Sequence, residues 1–442
     1  MLPSRLYWTA YLAWQLPGQA AFPFASRERI RRAQSRRVGR MVEHAWRTVP
    51  YYQDTMKRLG LTPADFQGPE DLAKLPLLER QDLQRDPEYF VSRARPLGRY
   101  FRLLTSGTTG QPRVIFHDPA SLYENAAHGE RERAVLTPRL GRWAGFREAV
   151  IAGSNPTISK VQGFSRRHAF FPPGLRIERR YLFLYDPPEV NARLLHEFRP
   201  DLLYSYGSYL EILFPYLVQS GAPFHRPKVI VYTSDGLGDP VRRLIEERFQ
   251  TPVFGLYGSS EFLKIGFQCD SPLGLHLNTD LYPLRILDAA GRNALPGQTG
   301  EVVLSNLVNR ATVLLNYRVG DLASFLEQRC PCGRNLPLIS FPAGRSDEFI
   351  QIPSGATLHP QLFCEILKTE DLWQYQVRQL SPAHIRVSLV PSNRSNRMDL
   401  EQRLRQKLAQ ALPPEVTVEL VFGEAPWRTP AGKTAAVLAL PR

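Results

Sequence analysis

The run Leu104-Thr-Ser-Gly-Thr-Thr-Gly-Gln-Pro-Arg113 gathers four hydroxyl side chains and two glycines into six consecutive positions: Thr105, Ser106, Gly107, Thr108, Thr109 and Gly110. Glycines let backbone N–H groups close around an anion, and hydroxyls add donors to phosphate oxygens. No Lys-Ser/Thr follows the second glycine, so the pattern is not the Walker loop. Taken alone, the same residues also suit a polar hairpin loop. A second constellation pairs Cys269-x6-His276 with Cys330-x-Cys332. Three thiols and an imidazole offer four ligands to tetrahedral Zn²⁺, and Cys-Pro-Cys-Gly-Arg is a tight, knuckle-like surround. Such a site would be structural. The alternative is unligated thiols with His276 as a satisfied core residue.

Four further stretches join the hydroxyl-rich loop in order along the chain: Tyr257-Gly-Ser-Ser-Glu261, Tyr317-Arg-Val-Gly-Asp321, Gly344-Arg-Ser-Asp347 and Pro430-Ala-Gly-Lys433. Together the five resemble the motifs of the adenylate-forming superfamily, which includes acyl-CoA synthetases, luciferases and peptide-synthetase adenylation domains. The flanks, with His44-Ala-x4-Pro50-Tyr51-Tyr52, Arg199-Pro-Asp201 through Ser208, and Thr233-Ser-Asp-Gly236, are similar to the phenylacetate–CoA ligase branch.

The resemblance implies activation of a carboxylic acid by ATP as acyl-AMP, with pyrophosphate released, and then transfer to CoA. The barrier to bringing two anions together is largely electrostatic, so cations and a metal should dominate catalysis. By resemblance, Thr105–Gly110 hold phosphate, Lys433 bridges carboxylate and α-phosphate, and Glu261 is the Mg²⁺ ligand. Tyr257, with Gly258 and Ser259, faces the adenine, and Asp235 and Gly236 line its pocket. Asp321 accepts from the ribose hydroxyls and Arg345 helps hold ribose or phosphate, although this couple would equally make a structural ion pair. Tyr206, Gly207 and Ser208 border the acyl pocket, and Asp347 is the hinge. The branch leans toward an aryl or arylacetic acid.

Two departures bear on that reading. Gln111 and Arg113 stand where many relatives carry Lys near Pro, and Ile350–Gly355 differs from the usual basic run after the hinge. The second keeps a carrier-protein thiol or an amine open as acceptor. A non-catalytic member of the fold is the rival from another class.

These residues need a scaffold, and the sequence sketches one. Ile30, Val38, Met41, Val42 and Ala45 fall at helical spacing within Arg27–Leu59, interrupted at Pro50. From Arg102 to Phe254 strand-like runs alternate with amphipathic segments such as Pro240–Phe249, which predicts a helix-covered parallel sheet. Leu277–Leu326 reads as an antiparallel β-rich subdomain. The expected architecture is α/β: a large multi-sheet domain over 1–344, then a small α+β mobile lid over 345–442. The lid contains strand Ile385–Val390, helix Asp399–Ala411 and strand Val416–Phe422.

Composition bounds the rest. With 56 Lys plus Arg against 42 Asp plus Glu, the formal charge is +14, which favours anionic partners such as nucleotides, CoA or an acidic carrier protein. Arg131, Arg133, Arg166, Arg167, Arg179 and Arg180 crowd one interval and suit CoA phosphates or a carrier face, or simply a solvated basic surface. No nucleic-acid-binding motif is present. Four cysteines are too few for a disulfide scaffold, so a reducing, cytoplasmic setting is expected, with Cys364 a small buried hydrophobe. No run of about 18 apolar residues would span a bilayer. Tyr7–Leu16, aromatic and apolar after Arg5, reads as a surface-packed or membrane-grazing helix rather than a cleaved signal. A homodimer is compatible with everything above.

Overall fold

The computed structural model describes residues 2–104, 113–153, 157–170, 174, 176–342, 344–345, 348–368, 370–392, 396–424, 426–428 and 434–440. The first part runs α1 (Leu2–Gln15), α2 (Arg27–Thr48), α3 (Pro50–Leu59), α4 (Arg80–Arg85), β1 (Phe101–Leu104), β2 (Val114–His117), α5 (Pro119–His128) and α6 (Glu130–Leu140). It continues through β3 (Arg147–Ala152), α7 (Thr157–His168), β4 (Glu178–Phe183), α8 (Pro188–Phe198), β5 (Leu202–Tyr206), α9 (Gly207–Ser220), β6 (Val229–Thr233), α10 (Asp239–Arg248) and β7 (Val253–Tyr257). Short strands follow: β8 (Gly266–Gln268), β9 (Leu275–Leu277), β10 (Leu284–Leu287), β11 (Gly300–Leu304), β12 (Tyr317–Ala323), β13 (Phe325–Leu326) and β14 (Leu338–Ile339). The last part is β15 (Ile350–Gln351), β16 (Thr357–Leu358), α11 (Pro360–Lys368), β17 (Leu372–Ser381), β18 (His384–Pro391), α12 (Arg397–Ala411), β19 (Thr417–Phe422) and β20 (Val437–Leu438).

Local sequence explains where these elements break. The Ser26 hydroxyl caps α2 by accepting from Arg29 N–H, and Ile30, Val38, Met41, Val42 and Ala45 form its buried face. Pro50 then opens α3 at a position where its missing N–H costs nothing.

Nine strands form the main sheet, in the order β13-β14-β9-β8-β7-β6-β5-β3-β4 among the described residues. The segment from β4 to β7 is parallel, and its strands alternate with helices as the pattern predicted. The order reverses at β3, with β4 on one side and β5 on the other. In such sheets ligands bind beyond the carboxyl ends of the strands at that switch point.

One face of the parallel strands packs on α8–α10 through Ala149, Leu203, Ile230, Leu213 and Ile245. The other packs on α6 through Leu136 and Leu140 against Leu202, Val229 and Val231. The expected β-rich stretch is divided: β10–β12 make a separate antiparallel sheet, while β9 and β13 join the main one. Residues from Ile350 to Val437 enclose a core of their own, built on Phe363, Val377, Ile385, Val387 and Leu404. Gln374 on β17 donates to the Ser208 carbonyl at 3.4 Å, which sets this smaller unit beside α9.

Among the described residues no helix is long and apolar enough to cross a membrane. Helix α1 lies on the surface, with Trp8 stacked on Tyr123 at 4.9 Å and the Tyr11 hydroxyl donating to Glu124 at 2.7 Å. Arg131 corrects the reading of a basic patch. It is buried and forks onto both Asp280 oxygens at 2.7 and 2.9 Å, a pairing across 149 positions that sequence spacing does not reveal.

Candidate active site

Three parallel strands deliver the first part of the site. Strand β5 ends at Tyr206 and α9 begins at once with Gly207. A Cβ on Gly207 would lie 2.1 Å from the Gly236 carbonyl oxygen, so only glycine lets the turns after β5 and β6 touch. Asp235 fastens them: Ser208 donates from its hydroxyl to one carboxylate oxygen at 2.5 Å and from its N–H to the other at 3.2 Å. That carboxylate therefore sits at the positive end of α9. Ser234 holds φ at 78°, and burial raises the Tyr206 phenol above its ordinary range.

Strand β7 supplies Tyr257, whose hydroxyl donates to Asp321 Oδ2 at 2.7 Å. Burial, reinforced by the Asp321 charge, raises this phenol well above its normal value and keeps it a donor. The other Asp321 oxygen accepts from Arg345 Nη1 at 3.0 Å. Arg345 also lies in register opposite Asp321 on the edge of β12, so the arginine segment is laid against the strand it pairs with. The ion pair considered from sequence alone is thus formed. A carboxylate offers about four acceptor sites, so two such bonds orient it without saturating it. Tyr257 is 7% exposed; it presents little more than an edge.

Past β7 the chain turns sharply. A Cβ on Gly258 would meet the Leu263 carbonyl oxygen at 2.1 Å, and Leu263 N–H donates to the Ser259 carbonyl at 2.7 Å. This turn carries Glu261 inward, where its carboxylate faces Arg113 at 3.3 Å; both side chains are under 10% exposed. Arg113 donates in addition to the Tyr317 hydroxyl at 2.7 Å. Burial pushes the Tyr317 phenol up to about 12 against the opposing pull of Arg113.

Sequence reading did not identify Arg113 as the partner of Glu261, nor Tyr317 as the second partner of Arg113. The available signal was Arg113 itself, a departure at the end of the hydroxyl-rich loop. Residues Thr105–Gly110 lie outside the described residues, but β1 and β2 pair antiparallel with Leu104 opposite Val114, which fixes both ends of that loop.

Asp347 and Lys433 also lie outside the described residues. The residues flanking Lys433 are held by one side chain: Gln376 on β17 accepts from Trp427 N–H at 2.9 Å and donates to the Trp427 and Ala435 carbonyls, each at 3.0 Å. The neighbouring Arg428 lies over the Tyr209 ring at 5.9 Å. Its guanidinium value is lowered mainly by burial, with the Asp235 charge among the opposing influences. Arg428, just before the terminal motif, is therefore beside the start of α9 and the turn after β6.

The cysteines and histidine converge. Their ligand atoms all lie within 4.8 Å of one another, with Cys269 and Cys330 sulfurs 3.4 Å apart and Cys332 Sγ 3.2 Å from His276 Nε2. Pairing of β14 with β9 sets Leu338 opposite His276 and so carries the 330–332 loop to the 269–276 hairpin. Burial lowers His276 to about 4, which leaves it neutral near pH 7. Zn–S bonds of about 2.3 Å imply tetrahedron edges of about 3.8 Å, which this spacing accommodates. Cys364 is buried, as expected.

No family model matches the chain. It is 26% identical over 349 residues to a phenylacetate–coenzyme A ligase of Thermus thermophilus, covering 76% of this chain and 74% of that one. With the Pseudomonas putida protein of the same name it shares 28% over 363 residues, 79% and 78% of the two chains. In structure it resembles a 2-hydroxyisobutyryl-CoA ligase in the postadenylation state, with a TM-score of 0.75 and 18% identity over 96% of this chain and 92% of that one. Motif order, strand topology and these likenesses agree: the chain is similar in sequence to phenylacetate–coenzyme A ligases and shares the fold of acyl-CoA ligases.

Proposed function

We propose that this protein uses ATP to convert a carboxylic acid to its acyl-AMP and then passes the acyl group to CoA. In the first half-reaction a carboxylate oxygen attacks the α-phosphorus and pyrophosphate leaves. In the second the CoA thiolate attacks the acyl carbonyl and AMP leaves. One observation carries the reading. Asp321 and Glu261, far apart in sequence, are each oriented by a buried tyrosine or arginine near the carboxyl ends of β5–β7.

Asp321, aimed by Tyr257 and Arg345, accepts from the ribose hydroxyls. Tyr257 and the Asp235–Gly236 turn border the adenine, Thr105–Gly110 and Arg345 bind phosphate, and Tyr206–Ser208 border the acid. Lys433 stabilises the charge that builds between carboxylate and α-phosphate. Glu261 is the kind of donor Mg²⁺ takes, one carboxylate completed by phosphate oxygens, and it stands at the base of the phosphate loop. When bound, the ion neutralises phosphate charge. Residues 345–442 form the mobile lid, turning about Asp347 to exchange Lys433 for the acceptor channel. The Cys269–His276–Cys330–Cys332 cluster holds a structural Zn²⁺ that ties β8, β9 and the β13–β14 hairpin together.

Mass spectrometry of reactions with ATP, Mg²⁺ and an acid tests the proposal. Acyl-AMP should accumulate without CoA and give way to a thioester with it. Acyl-AMP that persists when CoA is added, and is consumed by an acidic carrier or an amine, would reassign the acceptor while sparing the first step.

A further inference from the structure

A cavity of ≈ 1420 Å³ extends from Tyr206, Ser234 and Tyr257 into the interior. It follows β5 from Tyr206 back to Leu202 and β3 from Ala152 back to Glu148. At about 3.3 Å per residue, that is a run of about 13 Å along the strands. Helices α5, α6 and α7 enclose it, and Leu12 in the carboxyl-terminal half of α1 and Leu16 just beyond that helix cover it. Its walls include Leu122, Leu136, Val150, Ile158 and Val161. Several charged groups on the walls pair with one another, Arg179 with Glu148 at 2.5 Å, Arg133 with Glu130 at 3.3 Å, and Lys264 with Glu132, while Arg5, Arg166, Arg176 and Glu178 also line the space.

Resting on the adenylation reading above, we propose that the acid has an extended apolar body, a long acyl chain or a fused-ring skeleton, which lies along β5 and β3. Pockets for drug-sized ligands run to about 300–1,000 Å³, so with the nucleotide taking the end lined by Tyr257–Ser259 a phenylacetyl group would still leave the stretch beside Leu136, Glu148 and Leu202 unfilled. Its carboxylate would stay at the strand ends, beside Tyr206 and Ser234, while the body enters between the sheet and α7. The paired charges along β3 and α6 permit this, because an ion pair closed on itself makes no demand on an apolar ligand.

Burying a methylene is worth a factor of about four. Acid-dependent pyrophosphate release should therefore show kcat/KM rising about fourfold per methylene from butanoate upward, with hexadecanoate or a fused-ring acid at least 100-fold above phenylacetate. Ser165→Trp on α7 and Ala126→Trp on α5 place bulk in the cavity from different walls. Each should move the chain-length optimum downward, and two positions guard against one variant failing to fold.

Displacement of fluorescent cis-parinaric acid by hexadecanoate, without ATP, reads the cavity independently of catalysis. It should be seen with the native protein and weakened in both variants. Preference for phenylacetate, with no binding of cis-parinaric acid, would overturn the proposal and leave the adenylation reading standing. Binding that the tryptophans block, without pyrophosphate release from any acid, would support the cavity and sink the adenylation reading instead.

Discussion

Strands β7 and β8 have two ends, and the protein treats them oppositely. At one end Tyr257, Glu261 and their partners form hydrogen-bonded pairs that orient carboxylates yet leave acceptor capacity for a ligand. At the other, extending the antiparallel register past Leu256–Phe267 sets Cys269 opposite Phe254, about 10 Å back along the strand. There three sulfurs and an imidazole face one another, a closed ligand set with no position left for substrate. The first arrangement suits chemistry and the second suits stability. Substitutions at the two ends should therefore separate in kind as well as in size.

The largest effect is expected from Glu261→Gln. Acid-dependent pyrophosphate release should fall about 10²–10³-fold, measured on protein whose circular dichroism is native. A loss of tenfold or less would remove Glu261 from the reacting centre. At the opposite end, Cys330→Ser or exhaustive chelation should lower Tm by roughly 3–5 °C, as expected for a few kcal/mol in a chain of this size, with kcat at 20 °C changed less than about threefold. Elemental analysis should give one zinc per native chain; absence of metal with an unchanged Tm in Cys330→Ser would break the comparison.

Smaller effects refine the catalytic end. Asp321→Asn weakens a charge-assisted pair and should raise KM for ATP about 10- to 100-fold while changing kcat less. Tyr257→Phe removes only the hydroxyl bond that aims Asp321, worth about 1 kcal/mol, so KM for ATP should rise about fivefold. Equal losses in the two variants would mean that Tyr257 does more than orient Asp321.

What sequence made legible here was local pattern and motif order. The break at Pro50, the helical face of α2 and the alternation through β7 all follow from periodicity within short windows. Long-range pairings were not legible. Arg113 meets Glu261 and Tyr317 only because the β1–β2 hairpin packs beside the turn after β7, and Arg131 turns inward only because Asp280 waits for it. The Cys/His set lay between these cases. Its residue types named a metal, but convergence depended on the β9–β14 pairing, which no spacing in the sequence encodes.

ATP–pyrophosphate exchange in the presence of an accepted acid tests the central claim most directly, because it reads formation of acyl-AMP without any acceptor. Exchange should depend on the acid and on Mg²⁺, and should fall at least 100-fold in folded Lys433→Ala, while that variant still converts supplied acyl-AMP to thioester. Undiminished exchange in Lys433→Ala, or no exchange with any acid from a protein that binds ATP, would contradict the account.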